Sequence, residues 1–553
     1  MKKSNYLNKW LGNISVVVIV LLCGTVSLHA ASDVRVTIKR PVIPILSHKK
    51  YNPAIRLDIK GKTDFAINAL EFSTNGTIYP DDIVNISIYG SDDKGYIDTT
   101  RVIASSQFVS EEIIFRNKIQ SSGDSIALWV SIVLKDEIHL NNHIVINCTK
   151  LRTDKGKALI IDSTPNEWLR PGVAVRQQGQ DGVVSSRIPG LETAKDGTLL
   201  AIYDARWDIA RDLQGNIDIA LQRSFDKGVT WQPMQIIMDM GEWGELPQKF
   251  NGVSDACILV DDISGDLYVV GLWMHGILDK QTGKWTEGLK ETSENWIHQW
   301  HEKGSQPGTD VKQTSQFLIV KSTDNGKTWS SPVNITQQTK RPEWWLYAPA
   351  PGHGVTLQDG TLVFPTQGRD ENGVPFSNIT WSKDHGKTWH ASNPAYKDVT
   401  ECMAVELSNG DVMLNMRDNR NKKNQVENGR RICITSDLGN TWTEHPTSRK
   451  ALIEPTCMGS IHRHTYHKDG EKKTILLFCN PSSKIRRDKI TLKASLNDGK
   501  TWSEKQTVLL DEYRGWGYSC ITSVDENTIG ILYESSQSQL VYQQVNLNEL
   551  IRK

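Results

Sequence analysis

Several kinds of site are missing from this chain of 553 residues. Its cysteines form no CxxC pair, there is no HExxH, and no glycine-rich phosphate loop opens a helix, which argues against a zinc centre, a metalloprotease and a nucleotide site. Basic and acidic residues balance at 64 each, so the basic surplus expected of a nucleic-acid binder is absent. No apolar run is long enough for a spanning helix; the longest candidate, Ile14 to Cys23, follows Lys2, Lys3 and Lys9 and precedes Ala30 and Ala31. That order predicts a signal peptide over 1–30 and export to the periplasm or the medium. Cys23 would permit a lipid anchor, although Leu21 and Leu22 stand where a small residue is expected, and only such an anchor would bring membrane association. The remaining cysteines, 148, 257, 402, 433, 457, 479 and 520, lie mostly in apolar, strand-like runs and read as buried free thiols.

What the chain has in excess is tryptophan, 18 in all, and a repeat. The octapeptides SFDKGVTW, STDNGKTW, SKDHGKTW, TSDLGNTW and SLNDGKTW begin at Ser224, Ser322, Ser382, Thr435 and Ser495. Ser or Thr, Asp and Gly are turn formers, and the closing Trp is a large apolar anchor, so each copy predicts a hairpin turn. The intervals are 98, 60, 53 and 60 residues, and the first is close to twice 49, which implies a unit without the signature. Six such units predict an all-β fold, a six-bladed β-propeller over 173–553. The repeated aspartates are scaffold on this reading, and Asn497 in the fifth copy suits a turn better than a catalytic group. Ahead of it, 32–162 alternates in short β-rich runs without the octapeptide and predicts an N-terminal β-sandwich, a carbohydrate-binding module or a spacer, joined by a linker over 163–172. The last strand, near 540–547, is expected to close the ring by joining the first blade.

Functional residues of such a ring should come from different blades. Four segments stand apart from the repeat: SSRIPGLETAKDGTLLAIYDARWDIARDLQG with Arg187 and Asp212, TECMAVELSNGDVMLNMRDNR with Glu401, Glu406 and Arg417, NPSSKIRRDKITLKAS with Arg486 and Arg487, and RGWGYSCI with Tyr518. Each has a bland reading as well: Asp208, Asp212 and Asp218 as loop solvators, the arginines as surface charges, Tyr518 as a core aromatic. An Arg-Ile-Pro ahead of several Asp boxes, an E-x-x-x-V-E-L run followed by L-N-x-R-D, and a late G-Y-S resemble the bacterial exo-sialidases of glycoside hydrolase family 33, over roughly 173 to the C-terminus. Ser186 replaces the aromatic residue usual before Arg-Ile-Pro.

The resemblance implies an arginine triad, Arg187, Arg417 and Arg487, around a substrate carboxylate. Arg487 is preferred to Arg486 because it lies eight residues before the last Asp box. It further implies Asp212 as acid/base, Tyr518 as nucleophile assisted by Glu401, Arg206 and Asp255 near the sugar hydroxyls, and no metal or other cofactor. The chemistry is consistent: fork-shaped guanidinium groups suit a carboxylate at roughly 1.5–3 kcal/mol for each charge-assisted bond. A neutral phenol also escapes the repulsion that a carboxylate nucleophile would meet beside that anion, as in the tyrosine-nucleophile exception among glycosidases. The expected activity is release of terminal sialic acid from sialylated glycans with retention. A trans-sialidase, an intramolecular trans-sialidase or a non-catalytic sialic-acid-binding propeller would share part of the set. Linkage preference, oligomeric state and the role of the Trp-rich stretch from Trp273 to Val311 are not set by the residues.

Overall fold

The computed structural model describes residues 26–27, 34–107, 110–155, 158–161, 168–212, 215–242, 248, 251–275, 305–311 and 314–551. The expected signal segment, apart from Val26–Ser27, lies outside these residues, as do Cys23, 162–167 of the expected linker and 276–304 of the Trp-rich stretch. The fold is nearly all β, and the two α-helices among the described residues are four and five residues long.

Val34–Lys39, Asn52–Gly61, Ser125–Leu134, Ile83–Ser91 and Ile97–Ser106 form one antiparallel sheet, and Ala66–Ser73 with Asn147–Thr153 and Glu112–Phe115 forms a second. Their apolar residues, among them Leu57, Ile86, Val130, Leu70 and Phe72, meet in one buried cluster, the packing that alternating runs provide. Ile45–Ser47 leaves these sheets and pairs in parallel with Pro171–Arg176. Trp168 is stacked on His143 at 3.7 Å and lies under Arg170 at 4.7 Å, while Arg170 reaches Glu549 at 2.6 Å.

From Ser185 onward the chain forms successive antiparallel meanders. Ser185–Thr193, Leu199–Arg206 and Ile217–Ser224 are joined to Asn251–Val260, Leu267–His275 and Gln316–Ser322 only through the single bridge Ile217↔Gly252. Groups built on Leu362–Arg369, Val399–Glu406, Ser460–Lys468 and Ser519–Asp525 follow. Their inner strands touch in order, and Ser519–Asp525 returns to Ser185–Thr193. Closure differs from the expectation: Leu540–Asn546 stays in its own sheet with Thr528–Tyr533, and it is the early strand Pro171–Arg176 that joins it. One strand from the start of the ring therefore completes the last sheet and satisfies the edge that Leu540–Asn546 would otherwise expose.

The octapeptides are turns. Ser224 Oγ donates to Asp226 at 2.8 Å and accepts from the Gly228 N–H at 2.7 Å, while Asp226 accepts from the Thr230 N–H at 2.9 Å. Lys227 and Gly228 both hold positive φ, 61° and 92°. Asn497 reproduces the network, accepting from Ser495 Oγ at 3.0 Å and the Thr501 N–H at 2.9 Å. The seven described cysteines are free and buried, as expected.

Hydrogen bonds from Thr328 hold Asp324 at about 2, and those from Thr441 hold Asp437 at about 2. Both values lie below the unfolded value of about 3.9, so these turns contribute stability that is full above that pH and lost as pH falls through about 2. Replacing Asp324 and Asp437 by Asn, which the fifth box already tolerates, is expected to flatten the fall in melting temperature between pH 4 and 2. An unchanged acid limb would show that the turns do not carry it.

Candidate active site

Three inner strands carry a break in register at the residue that faces the ring's open centre. In Ser185–Thr193 the shift falls between Arg187 and Gly190, in Asn251–Val260 between Ser254 and Cys257, and in Val399–Glu406 between Val399 and Cys402. A bulge re-aims one side chain without ending the strand, and here it turns Arg187, Asp255 and Glu401 toward one place. Ile188 and Asp255 take φ of 62° and 57°. For a β-branched residue before proline that is a strained conformation, held because the Ile188 N–H donates to Glu534 at 3.0 Å. Gly517 has φ of 91°, and a Cβ there would stand 2.9 Å from Pro481 and 3.1 Å from Arg487, so the glycine before Tyr518 is dictated by both backbone and space.

These elements enclose a cavity of about 330 Å³, whose walls include Asp212, Asp255, Glu401, Arg417, Arg487 and Tyr518. The buried Tyr518 hydroxyl donates to Glu401 Oε1, and Arg417 Nη1 donates to Glu401 Oε2 and, at 3.1 Å, to the Tyr518 oxygen. Burial and then the Glu401 charge push the phenol well above its ordinary value, so it rests neutral. Burial would loosen the proton of Arg417, yet Glu401, together with Tyr518 and Cys457, more than reverses this. Arg487 donates to the Trp516 carbonyl at 3.0 Å and lies 5.4 Å from the Tyr518 ring. Arg486 is exposed.

Arg187 is buried between the Trp516 and Tyr518 rings, at 4.6 and 5.4 Å, and donates to Glu534 at 2.9 and 3.3 Å. Its third contact is Asp212 at 3.4 Å. Asp212 is 64% exposed and also accepts from Arg206 at 2.6 Å. The cavity walls oppose its charge, but Arg206 and Arg187 outweigh them and hold its carboxyl below the usual range. Arg206 itself is fully buried behind Asp212, pinned by Asp204 at 2.9 Å, and does not form the cavity wall; Asp255 does. Burial, with Asp204, Glu401 and Asp212 nearby, pushes Asp255 well above the usual carboxylate range. Glu406 lies elsewhere, accepting from the Gln358 N–H at 3.2 Å and facing Arg463 at 3.8 Å. Asp208 is exposed, and Asp218 accepts from Trp207 at 2.7 Å. Trp273, the one tryptophan of the Trp-rich stretch among the described residues, lies on the strand Leu267–His275 and is buried in the core.

Sequence reasoning missed Glu534, which receives Arg187 and the N–H groups of both Ile188 and Tyr518, and the cavity-lining Arg369 and Lys422.

Residues 188–534 match the BNR repeat-like domain family. A sialidase of Bacteroides fragilis is 36% identical over 96% of this chain and 98% of its own length. The chain belongs to the sialidases. The solved Hadza microbial sialidase Hz136 shares 33% of its sequence and superposes with a TM-score of 0.82 over 93% of this sialidase and 100% of that chain. An intramolecular trans-sialidase from Ruminococcus gnavus, 18% identical with a TM-score of 0.53 over 68% of this sialidase and 98% of that chain, shares the fold. The protein is thus a glycoside hydrolase, an exo-α-sialidase, and the cavity with its five-residue cluster of Arg417, Arg487, Glu401, Tyr518 and Asp212 is the candidate active site of this sialidase.

Proposed function

We propose that this sialidase is a retaining hydrolase of terminal sialic acid on glycans, with Tyr518 as nucleophile. The observation that carries the reading is the phenol donating to the Glu401 carboxylate inside a cavity that Arg417 and Arg487 also line. The substrate carboxylate sits among Arg187, Arg417 and Arg487, which fixes the anomeric carbon over the Tyr518 oxygen. Glu401 takes the phenolic proton as the oxygen attacks that carbon, and Asp212 protonates the departing glycosidic oxygen. The intermediate is a sialyl–Tyr518 linkage. Asp212 then removes a proton from water, water attacks the same carbon, and Glu401 returns the proton to Tyr518, which restores the enzyme and the original anomeric configuration.

Asp212 is ionised in the free site because two guanidinium groups hold it. A substrate carboxylate engaging Arg187 weakens that hold and raises the Asp212 value toward the range a general acid needs. Asp212→Ala is therefore expected to lower kcat on a sialylated sugar by about 10²–10⁴-fold, and far less on an aryl sialoside, whose leaving group needs no proton. Equal losses on both would remove Asp212 from the acid role.

The wider reading follows the sequence: a six-bladed propeller over 173–553, an N-terminal sandwich over 32–162, and export directed by residues 1–30. The parallel pairing of Ile45–Ser47 with Pro171–Arg176 makes the sandwich region contribute a strand to the last blade. Truncation at 162 would strip that strand.

A further inference from the structure

Most of the positive charge in the site is already matched. Arg187 faces Glu534, Arg206 faces Asp204 and Arg417 faces Glu401. Arg487 is free of any carboxylate and is available, with Arg187 and Arg417, to the substrate's own. Two further cations line the cavity and have no such duty, Arg369 and Lys422. Arg369 ends the strand Leu362–Arg369; its side chain is partly buried and donates to the Gly373 carbonyl at 3.2 Å, with no ion pair to a carboxylate among the described residues. Lys422 ends the short turn of helix Asn419–Lys422, five residues beyond Arg417; it is exposed and has no ion pair among the described residues. Burial alone depresses the Arg369 guanidinium. Burial, followed by repulsion from Arg417 and Arg487, depresses Lys422. Arg369 is thus a partly buried cation with no ion pair among the described residues, an arrangement that an anion would complete, and the exposed Lys422 adds a second positive charge to the lining of the same cavity.

Their position decides what that anion belongs to. Asp212, which must meet the leaving oxygen, comes from the loop after Leu199–Arg206, whereas Arg369 and Lys422 come from the groups built on Leu362–Arg369 and Val399–Glu406. The aglycone leaves on the Asp212 side. On that orientation the part of the substrate facing Arg369 is the terminal sugar itself, and Lys422, from the group that also carries Glu401 and Arg417, lines the same cavity.

The geometry points to a second anion subsite, formed by Arg369 and Lys422, that accepts a negatively charged ester on the terminal sialic acid, in addition to its carboxylate. The inference rests on the sialic-acid orientation proposed above. Sulfate and phosphate esters share the required chemistry: tetrahedral oxygens, a charge beyond the carboxylate, and acceptors matched to a guanidinium fork and an ammonium.

The test compares kcat/KM for sialyl-lactose and for the same sugar carrying a sulfate, or a phosphate, on the side chain of its sialic acid. The wild type is expected to hydrolyse the charged esters at least as well as the plain substrate. Arg369→Met with Lys422→Met is expected to lower the ester-to-plain ratio about tenfold, the size of one charge-assisted hydrogen bond, chiefly through KM. Arg369→Lys, which keeps the charge, should restore part of it. A difference between sulfate and phosphate identifies which ester the pair prefers. Refusal of both esters by the wild type, or a ratio unchanged in the double variant, overturns the subsite. An α2,8-linked disialyl substrate carries its second charge on the aglycone; a ratio that falls for it and not for the esters overturns the placement. If plain sialyl-lactose is not cleaved at all, the failure lies in the sialidase reading beneath the proposal.

Discussion

Tyr518→Phe is expected to abolish turnover, lowering kcat on sialosides by about 10³-fold or more while the protein still folds and still binds sialic acid. The two halves of that expectation come from different contacts. On the proposed mechanism the hydroxyl is the atom that attacks, and Glu401 is reached through it. Losing the hydroxyl does not strand the buried Glu401 charge, because Arg417 still donates to the other carboxylate oxygen. The ring remains, so Arg187 and Arg487 keep the aromatic surface they lie against at 5.4 Å. Calorimetry with an unreactive sialic-acid analogue should therefore give an affinity within a few-fold of wild type. Full activity in this variant would remove Tyr518 from the reaction.

Glu534→Ala should have the other large effect, on stability and on the site together. Glu534 is wholly buried and its two oxygens receive four donors: Arg187 Nε and Nη2, the Ile188 N–H and the Tyr518 N–H. It ties the strained Arg-Ile-Pro bulge of the first inner strand to the residue proposed as nucleophile, across the seam where the last sheet meets the first. Truncation leaves a buried guanidinium without its counter-ion and two backbone donors without acceptors, a loss of about 3–5 kcal/mol. The expected result is a melting temperature lower by several degrees and an activity loss that persists below the melting range. Glu534→Gln keeps shape and some acceptor capacity. It should lose less stability and instead raise KM, because Arg187 is no longer held in place by charge. A Gln variant with wild-type KM would show that Arg187 is positioned by the Trp516 and Tyr518 rings alone.

These two residues mark where the sequence was legible and where it was not. Tyr518 was readable through the resemblance that G-Y-S carries, since its residues alone also allowed a core aromatic; the structure adds that the glycine holds positive φ against Pro481 and Arg487. The octapeptides were readable locally, since Asp226 and Thr230 close a ring of hydrogen bonds within five residues. Asp212 and Arg487 were placed by their distance from those turns. Glu534 carries no local mark. Its partners Arg187 and Tyr518 lie 347 and 16 residues away, and only the closing of the ring brings the first of them near. Arg369 and Lys422 look like ordinary strand-end and surface charges until the cavity is seen to include them. The exchange of roles at the seam, with Pro171–Arg176 completing the last sheet, depends on which edge is left open after the other groups have packed, a property of the whole ring.

The central claim is that the sugar is transferred to Tyr518 before water receives it. A sialoside fluorinated beside the anomeric carbon slows the second step and should allow the intermediate to accumulate. Intact-protein mass spectrometry is then expected to show one added sialyl unit, and peptide mapping to place it on Tyr518. Label on Glu401 or Asp212, or turnover of the fluorinated sialoside with no covalent species at any time, would contradict the account.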